Sequence, residues 1–439
     1  MIPGIGDNLR GGPNGTERPV SLRGSSRELV VFGVLHIALF LSFAAIGQAF
    51  YPAPGSLEMN IASYILDGLV PYRDLLVEYP PPALLSFLVP ALLFRTPVAY
   101  AFAFAAELLV FDVMAMVAIA SMAPASRITV RKSLALYTAV VAAVGPLVVL
   151  RYDLLPAMLV IVALAALVKG KTKTGWALLA LGVGAKLYPL VVLPLVAIED
   201  LRARQYRRLG VGVAVFVGVL LAMDLPWVIL NAGGFWYSMS YHLERGLHSE
   251  SLYGTALLVE QVFGLTTVKG AMTFGSWNLD SALADLLARW SLYFTVVCLT
   301  IVYASHWWRV RKRPATEVAA GRPDAGATQL LIRYACVAVL VFILANKVFS
   351  PQYLIWLCPL LPLIGGRWRN VVWGLFIVAA AATQYVYPYH YIEFAQFTPH
   401  VVLTLAARDI LLVAAAILML LPDGPGKAPI LSPVQPAGA

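Results

Sequence analysis

The chain has 439 residues, of which 60% are hydrophobic and only 13% are charged, and its mean hydropathy is +0.79. Soluble domains carry about 25% charged residues, so this composition excludes an ordinary soluble protein. The net charge of +9 would suit nucleic acid in a soluble chain. In a membrane protein it indicates basic cytoplasmic loops instead, and we expect no nucleic-acid partner.

The apolar residues fall in blocks of about 20, the length of an α-helix that crosses a bilayer. Residues 1–28 are polar and Gly-rich, which predicts a disordered cytoplasmic arm. The four arginines of this arm precede the first span at 29–49 and place the N-terminus inside. Residues 52–97 then form an outer loop.

Residues 81–94 are apolar but too short to cross, and prolines lie at their start. This pattern favours a juxtamembrane helix that lies along the membrane interface. The remaining apolar blocks predict the later spans. They are 97–122, 133–150, 154–168, 176–185, 190–198, 209–230, 290–304, 330–345, 354–364, 371–386 and 401–421.

Together these segments predict an all-α polytopic membrane protein, with about 12 transmembrane helices in a domain at 29–421. A long outer loop at 232–289 and a cytoplasmic linker at 306–328 interrupt the spans, and a Pro-rich cytoplasmic tail occupies 422–439. Most of the 32 Lys and Arg fall in the loops assigned to the inside. That distribution is expected of a multi-pass protein of the plasma membrane with both termini in the cytoplasm.

The first outer loop holds four carboxylates and one arginine between two apolar segments. A carboxylate there suits general-base activation of a hydroxyl group. The pattern leaves open which acid would act, because the later ones would also pair with the arginine. The five residues are Glu58, Asp67, Arg73, Asp74 and Glu78.

Several cations on the predicted outer side stand at the ends of short apolar segments. Arg151, Lys186 and Arg245 are the main ones, and cations in such places suit an anionic headgroup at the membrane surface. Structural alternatives stay open. Arg151 would form an ion pair with Asp153 at a helix start, and Arg245 would bridge to Glu250.

Five motifs occur in order along the chain: PYRDLLVEYPPP (71–82), RYDLLPA (151–157), AKLYPLVVLPL (185–195), RGLHSES (245–251) and SPQYLIW (350–356). Together they resemble the recurring motifs of the GT-C superfamily. They are most similar to those of glycosyltransferase family 87, the actinobacterial polyprenol-phosphate-dependent mannosyltransferases. The resemblance covers about residues 29–421 and implies a GT-C-like fold.

The same resemblance implies an inverting, metal-independent transfer that needs no cofactor. A hexose, with mannose expected, would pass from a polyprenyl-phosphate sugar to a hydroxyl of a lipid or glycan acceptor. The transfer would take place at the outer face, among membrane lipids.

The resemblance also implies a catalytic base in the first outer loop, where the family's aspartate would fall near Pro54. Glu58 is the nearest carboxylate in this sequence, and Asp74 is the alternative. Residues of the five motifs and the adjoining loops are the candidates for substrate binding. They are Arg73, Glu78, Tyr79, Arg151, Asp153, Lys186, Tyr188, His242, Arg245, Glu250, Gln352 and Tyr353.

A membrane transporter or lipid flippase is the rival from another functional class. It would show internal repeats and polar residues at the membrane midplane, and the sequence shows no clear repeat. A non-catalytic relative is the other alternative, because the family's aspartate is replaced.

Overall fold

The computed structural model of the chain describes residues 22–50, 56–312 and 325–422, and most of this structure is helical. The α-helices, in chain order, are α1 (Leu22–Phe50), α2 (Leu57–Leu66), α3 (Pro81–Leu93), α4 (Pro97–Met122), α5 (Val130–Val144), α6 (Leu147–Leu150), α7 (Leu154–Val168), α8 (Thr172–Ala185), α9 (Leu193–Arg202), α10 (Tyr206–Glu244), α11 (Leu252–Val262), α12 (Ala282–Arg311), α13 (Ala325–Ala345), α14 (Arg369–Gln384), α15 (Tyr391–Ala395) and α16 (Pro399–Leu420).

Shorter elements connect some of these helices. The 3₁₀ helices are Tyr188–Val192, Pro351–Leu357 and Leu361–Leu363, and a π-helical turn covers Tyr385–Tyr389. The strands are β1 (Leu247–His248), β2 (Lys269–Thr273) and β3 (Ser276–Asp280), which form an antiparallel sheet in the order β1–β3–β2.

Seven of the described helices are long and apolar enough to cross a membrane: α1, α4, α10, α12, α13, α16, and α14 with its π-helical extension. The chain is therefore an all-α integral membrane protein, as the composition predicts. The total of about 12 spans is not confirmed, because the other five predicted spans are short or interrupted.

The short apolar helices lie inside the bundle. Nearly every side chain of α7 is buried, and α7 packs on α4 and α8. A helix that is apolar all round belongs in a core. Since other helices cover α7, it does not need the length of a helix that meets lipid along its whole course.

The predicted spans at 133–150 and 354–364 are wrong as single helices, and proline or glycine explains both. The segment at 133–150 breaks at Gly145, whose φ is +64°, and Pro146 then leads into α6. The segment at 354–364 forms short 3₁₀ turns rather than an α-helix. Pro359 and Pro362 lack the N–H groups that an α-helix would use.

The segment at 232–289, predicted as a long outer loop, contains much regular structure. Helix α10 continues to Glu244, and the sheet and α11 follow. The glycines after Asn231 are turn signals in the sequence. The Asn231 side chain instead accepts a hydrogen bond from the Gly234 N–H at 3.0 Å, which starts a second helical section.

The predicted cytoplasmic arm and tail lie mostly outside the described residues, as does the middle of the linker at 306–328. Helix α1 already begins at Leu22, so the end of the predicted disordered arm is helical. Likewise α12 extends to Arg311 and α13 begins at Ala325, so both helices reach into the predicted linker.

Candidate functional site

The first carboxylate of the site lies at the start of α2. Ser56 is the N-cap, and its side chain accepts a hydrogen bond from the Met59 N–H. Glu58 follows in the first turn, where a negative charge is favoured by the helix dipole. Its side chain is fully buried, which is uncommon for a glutamate and requires a charged or polar partner.

That partner is Arg151, whose Nη1 lies 3.3 Å from Glu58 Oε1. The other carboxylate oxygen, Oε2, has no hydrogen-bond partner among the described residues. Burial alone would lower the pKa of Arg151, but nearby Glu58, Tyr387 and Tyr79 together raise it above its ordinary value. Arg151 is therefore a permanent cation beside a buried acid with one free oxygen.

A second ion pair lies two residues along the same turn. Asp153 is 1% exposed, and its Oδ1 accepts hydrogen bonds from Lys186 Nζ and Trp356 Nε1, each at 2.6 Å. Asp153 makes no capping hydrogen bond to α7. The structural alternative, an ion pair between Arg151 and Asp153, does not form, because each residue binds a more distant partner.

Aromatic rings enclose the ammonium group of Lys186. Nζ lies 4.8 Å from the ring centroid of Tyr152 and 5.4 Å from those of Tyr353 and Trp356. These are cation–π distances. Trp356 also stacks between Tyr188 and Tyr353, with both centroid separations at 4.1 Å, so the cation is held from several sides.

Tyr79 connects the two ion pairs. Its ring meets Tyr152 edge to face at 5.5 Å. Burial raises the pKa of Tyr79 well above its ordinary value, and the negative charges of Glu58, Glu78 and Asp153 add to the effect. The phenol therefore stays protonated and can donate a hydrogen bond into the site.

Arg73 and Asp74 form a separate, exposed pair on the turn before Tyr79. Two hydrogen bonds, at 2.9 and 2.8 Å, join them, and Asp74 also accepts from the Val70 N–H. The hydrogen bonds from Arg73, followed by that from Val70, lower the pKa of Asp74 to about 2. This carboxylate is committed to fixing its own turn.

Glu78 and His242 meet across the site. His242 Nε2 lies 3.3 Å from the backbone oxygen of Glu78, so the end of α10 touches the first loop. Gln352 is half-buried beside Tyr353. The structure therefore brings His242 to the loop that carries Glu78, whereas Gln352 is related to the site only as the chain neighbour of Tyr353.

Arg245 and Glu250 belong to another buried polar cluster. Arg245 donates to Ser276 Oγ at 2.7 Å, whereas Glu250 Oε2 lies 3.9 Å from Arg408 Nη1. The structural alternative, a bridge between Arg245 and Glu250, therefore does not form. Burial raises the pKa of Glu250 to about 8, with Arg408 opposing that shift and Asp409 adding to it.

Burial and the nearby Arg245 lower the pKa of His248 to about 3, so the imidazole is neutral at physiological pH. His248 Nε2 lies 4.0 Å from Glu250 Oε1. Tyr391 interacts electrostatically with this cluster and with Arg151. Burial, and then the charge of Glu250, raise the pKa of Tyr391, whereas the charge of Arg151 lowers it.

Sequence reasoning missed three contributors to these clusters. Trp356 and Tyr152 lie inside motifs that were recognised, but nothing in the sequence showed that their rings would enclose Lys186. Arg408 lies within a predicted span and is fully buried. Its guanidinium carbon lies 4.0 Å from the ring centroid of Phe349. An ionisable residue in a membrane-spanning segment is itself a signal of a polar partner.

The arrangement combines a buried carboxylate with two fixed cations, Arg151 on the turn before α7 and Lys186 at the end of α8. A carboxylate with a free oxygen can accept a proton from a hydroxyl group. Neighbouring cations can stabilise negative charge that develops on a phosphate, and preorganised cations do so without further rearrangement. These are the requirements of a group transfer from a phosphate.

Residues 77–349 match the model of glycosyltransferase family 87. The match covers more than half of the chain and includes Arg151, Lys186 and Arg245. It starts after Glu58 and ends before Gln352. None of the curated proteins matches this chain.

Solved structures show a weaker similarity. The ArnT structure from Cupriavidus metallidurans bound to undecaprenyl phosphate is 16% identical, with a TM-score of 0.44, over 88% of this chain and 76% of that chain. The Archaeoglobus fulgidus oligosaccharyltransferase in the apo form is 11% identical, with a TM-score of 0.41, over 93% of this chain and 57% of that chain. Scores of this size do not establish a shared fold.

Proposed function

The chain belongs to glycosyltransferase family 87, and from that premise we propose that it transfers a hexose from a polyprenyl-phosphate sugar to an acceptor hydroxyl. Mannose is the proposed sugar, and a lipid or glycan is the proposed acceptor. The transfer inverts the anomeric configuration, requires no metal, and takes place at the outer face of the plasma membrane.

One observation carries the proposal: the buried pair of Glu58 and Arg151, with Glu58 Oε2 left without a partner among the described residues. A buried carboxylate oxygen without a hydrogen bond is costly in a folded protein. An acceptor hydroxyl that donates to it would remove that cost. Glu58 is therefore the proposed base, and Asp74, already bound to Arg73, is the weaker candidate.

The proposed reaction is a single displacement. The acceptor hydroxyl gives its proton to Glu58, and its oxygen attacks the anomeric carbon of the donor sugar. The bond from that carbon to the phosphate oxygen breaks, so the polyprenyl phosphate leaves with one additional negative charge. Attack from the face opposite the leaving group inverts the anomeric carbon.

Arg151 and Lys186 are the proposed partners of the leaving phosphate. Both can carry charge-assisted hydrogen bonds to phosphate oxygens, and the Arg151 side chain is 33% exposed, so a ligand can reach it. Asp153 acts indirectly, because it holds Lys186 in place. Donation of a hydrogen bond by the Tyr79 phenol would help to orient the donor.

The remaining candidates are proposed to line the sugar and acceptor positions around this centre. Tyr188 stacks on Trp356. His242 and Glu78 line the side of the site that faces α10. The other members are Arg73, Arg245, Glu250, Gln352 and Tyr353.

Transfer by the purified chain tests the proposal directly. The protein would be incubated with radiolabelled polyprenyl-phosphate mannose and a membrane extract that contains acceptors, with and without a chelator. We expect label in an acceptor in both cases, and nuclear magnetic resonance of the product should show an inverted anomeric centre. Retention of configuration, or failure with every polyprenyl-phosphate sugar while a solute crosses the membrane, would contradict the proposal.

The orientation is tested separately by cysteine labelling in a background that lacks native cysteines. Ser56 and Lys171 are both exposed, and the proposed topology puts them on opposite sides. A membrane-impermeant maleimide should label Ser56→Cys in intact cells and should not label Lys171→Cys. Labelling of Lys171→Cys from outside would reverse the orientation.

A further inference from the structure

Helix α10 changes direction at Asn231, whose φ of −158° and ψ of 94° are not helical. The side chain of Asn231 caps the section that follows. We call residues 232–244 the distal section of α10. Its start and its end both contact the loop at 70–79, which carries Tyr79 into the candidate site.

The start of the distal section touches that loop backbone to backbone. A Cβ atom added to Gly234 would lie 1.7 Å from the Tyr72 carbonyl oxygen, whereas one added to Gly233 would meet only Asn231 Oδ1 at 3.5 Å. A separation of 1.7 Å from a backbone atom cannot be relieved by rotating a side chain. Glycine at 234 is therefore what permits this contact.

Tyr72 is held firmly at the contact. It is fully buried, and its ring lies edge to face against Trp227 at 5.3 Å and Phe235 at 5.6 Å, which lie on opposite sides of the break in α10. Tyr72 also has a φ of +65°, a conformation that is uncommon for a residue with a side chain. The two sections of α10 thus enclose one ring.

Tyr72 in turn fixes Tyr79. Its hydroxyl group donates a hydrogen bond of 2.7 Å to the Tyr79 carbonyl oxygen. The Tyr79 ring packs on Tyr152, which lies between Arg151 and Asp153 in the chain. A displacement at Gly234 would therefore pass through Tyr72 and Tyr79 to the residues that pair with Glu58 and Lys186.

The end of the distal section is fixed as well. His242 meets the Glu78 backbone oxygen at 3.3 Å. Lys347 Nζ donates to the carbonyl oxygens of Leu243 and Arg245, where a cation suits the C-terminus of a helix. The section therefore spans the loop from Tyr72 to Glu78 and is held at both ends.

From these contacts we infer that Gly234 is a positioning residue, which seats the distal section of α10 on the first loop and thereby holds Tyr79 in the candidate site. This inference rests on the proposed function for its catalytic consequence. The seating itself does not depend on any activity.

Two adjacent glycines allow a matched test. Gly234→Ala forces the two backbones apart by more than 1 Å, and misplacement by about 1 Å can reduce a rate about 100-fold. We expect kcat for sugar transfer to fall by about that factor. Gly233→Ala has room for its methyl group and should keep kcat within about twofold.

A cross-linking readout separates misplacement from a general loss of folding. In a cysteine-free background, Glu78→Cys and His242→Cys should form a disulfide on mild oxidation when residue 234 is glycine, and disulfide geometry tolerates little displacement. Adding Gly234→Ala should slow the formation of this cross-link, and adding Gly233→Ala should leave its rate unchanged. An unchanged rate of cross-linking with Gly234→Ala overturns the inference, whether or not the wild type transfers sugar.

A second variant covers the case in which Gly234→Ala fails to fold. Tyr72→Phe keeps the ring between Trp227 and Phe235 and removes only the hydrogen bond to Tyr79. It should lower kcat about 10-fold with the cross-link retained, whereas Tyr64→Phe, at an exposed position of α2, should leave kcat unchanged. Full activity of Tyr72→Phe would contradict the proposed connection from Gly234 through Tyr72 to Tyr79.

Discussion

Replacing Asp153 by asparagine removes the charge that holds Lys186 and keeps the shape of the side chain. The carboxylate is 1% exposed and the Lys186 side chain 19% exposed, so water replaces the lost partner only in part. Removing one partner of a buried ion pair costs about 3–5 kcal/mol. The asparagine oxygen can still accept from Trp356, so we expect the lower end, about 3 kcal/mol.

Thermal unfolding of the purified protein in detergent measures this loss. In domains of 150–250 residues, 1 kcal/mol shifts Tm by about 2–4 °C. This chain is larger, and we expect a fall of about 5 °C. Asp67→Asn is the matched control, because Asp67 is 71% exposed and lies 3.8 Å from Arg95. Its Tm should change by less than about 1 °C.

A double-mutant cycle identifies the cause of the loss. If an unpaired ammonium group destabilises Asp153→Asn, then adding Lys186→Met should recover at least half of the lost Tm. The double variant should remain inactive, because the proposed phosphate contact is gone. A Tm for Asp153→Asn equal to that of the wild type, or a double variant less stable than the single one, would refute the reasoning.

Three further predictions concern neighbouring residues. The folded chain keeps the proton of Glu250 up to pH about 8, whereas an unfolded carboxyl loses it near pH 4.3, so the contribution of Glu250 to stability falls as pH rises between these values. Glu250→Gln should therefore reduce the fall of Tm between pH 5 and pH 9 and raise Tm near pH 9. The exposed control Glu260→Gln should leave the dependence of Tm on pH unchanged. The same unchanged dependence in Glu250→Gln would contradict this prediction. Gly145→Ala places a Cβ 2.8 Å from the side-chain amide of Gln384 in α14, at a φ of +64°, and should lower Tm by several degrees. Gly218→Ala, with nothing within 4 Å of the added Cβ, should leave Tm unchanged. Equal Tm values for the two variants would count against a strained turn at Gly145. Trp356→Phe keeps an aromatic ring but loses the N–H group that donates to Asp153. It should raise KM for the polyprenyl-phosphate sugar more than it lowers kcat. An effect on kcat alone would argue against a role of Trp356 in holding Lys186, the proposed phosphate contact.

The sequence predicts the class of fold well because hydrophobic blocks report directly on contact with lipid. Helices α4 and α16 lie close to the bounds of their predicted spans, and α1 begins at Leu22, before its predicted span. The interior is less predictable. A segment such as 354–364 is apolar because protein surrounds it, and that composition does not distinguish a 3₁₀ turn from an α-helix.

The candidate site was likewise predictable in part: the sequence identifies its residues but not their contacts. Acidic and basic residues at helix ends identify the region, because their types and positions are visible in the sequence. Their partners are not visible, since Glu58 and Arg151 lie 93 positions apart and Asp153 and Trp356 lie 203 apart. Only the packing of α7 against the neighbouring helices selects these pairs over the local pairing of Arg151 with Asp153.

The base assignment is tested most directly by comparing Glu58→Gln with Asp74→Asn in the transfer assay with polyprenyl-phosphate mannose. Glutamine can still accept a hydrogen bond from Arg151 but is not a base, and loss of a general base reduces a rate by about 10²–10⁴. We predict a loss in that range for Glu58→Gln, assayed well below its Tm because removing the charge of a buried pair also lowers stability, and a change of less than about threefold for Asp74→Asn. Near-wild-type transfer by Glu58→Gln, or an equal loss in Asp74→Asn, would contradict the assignment of Glu58 as the base.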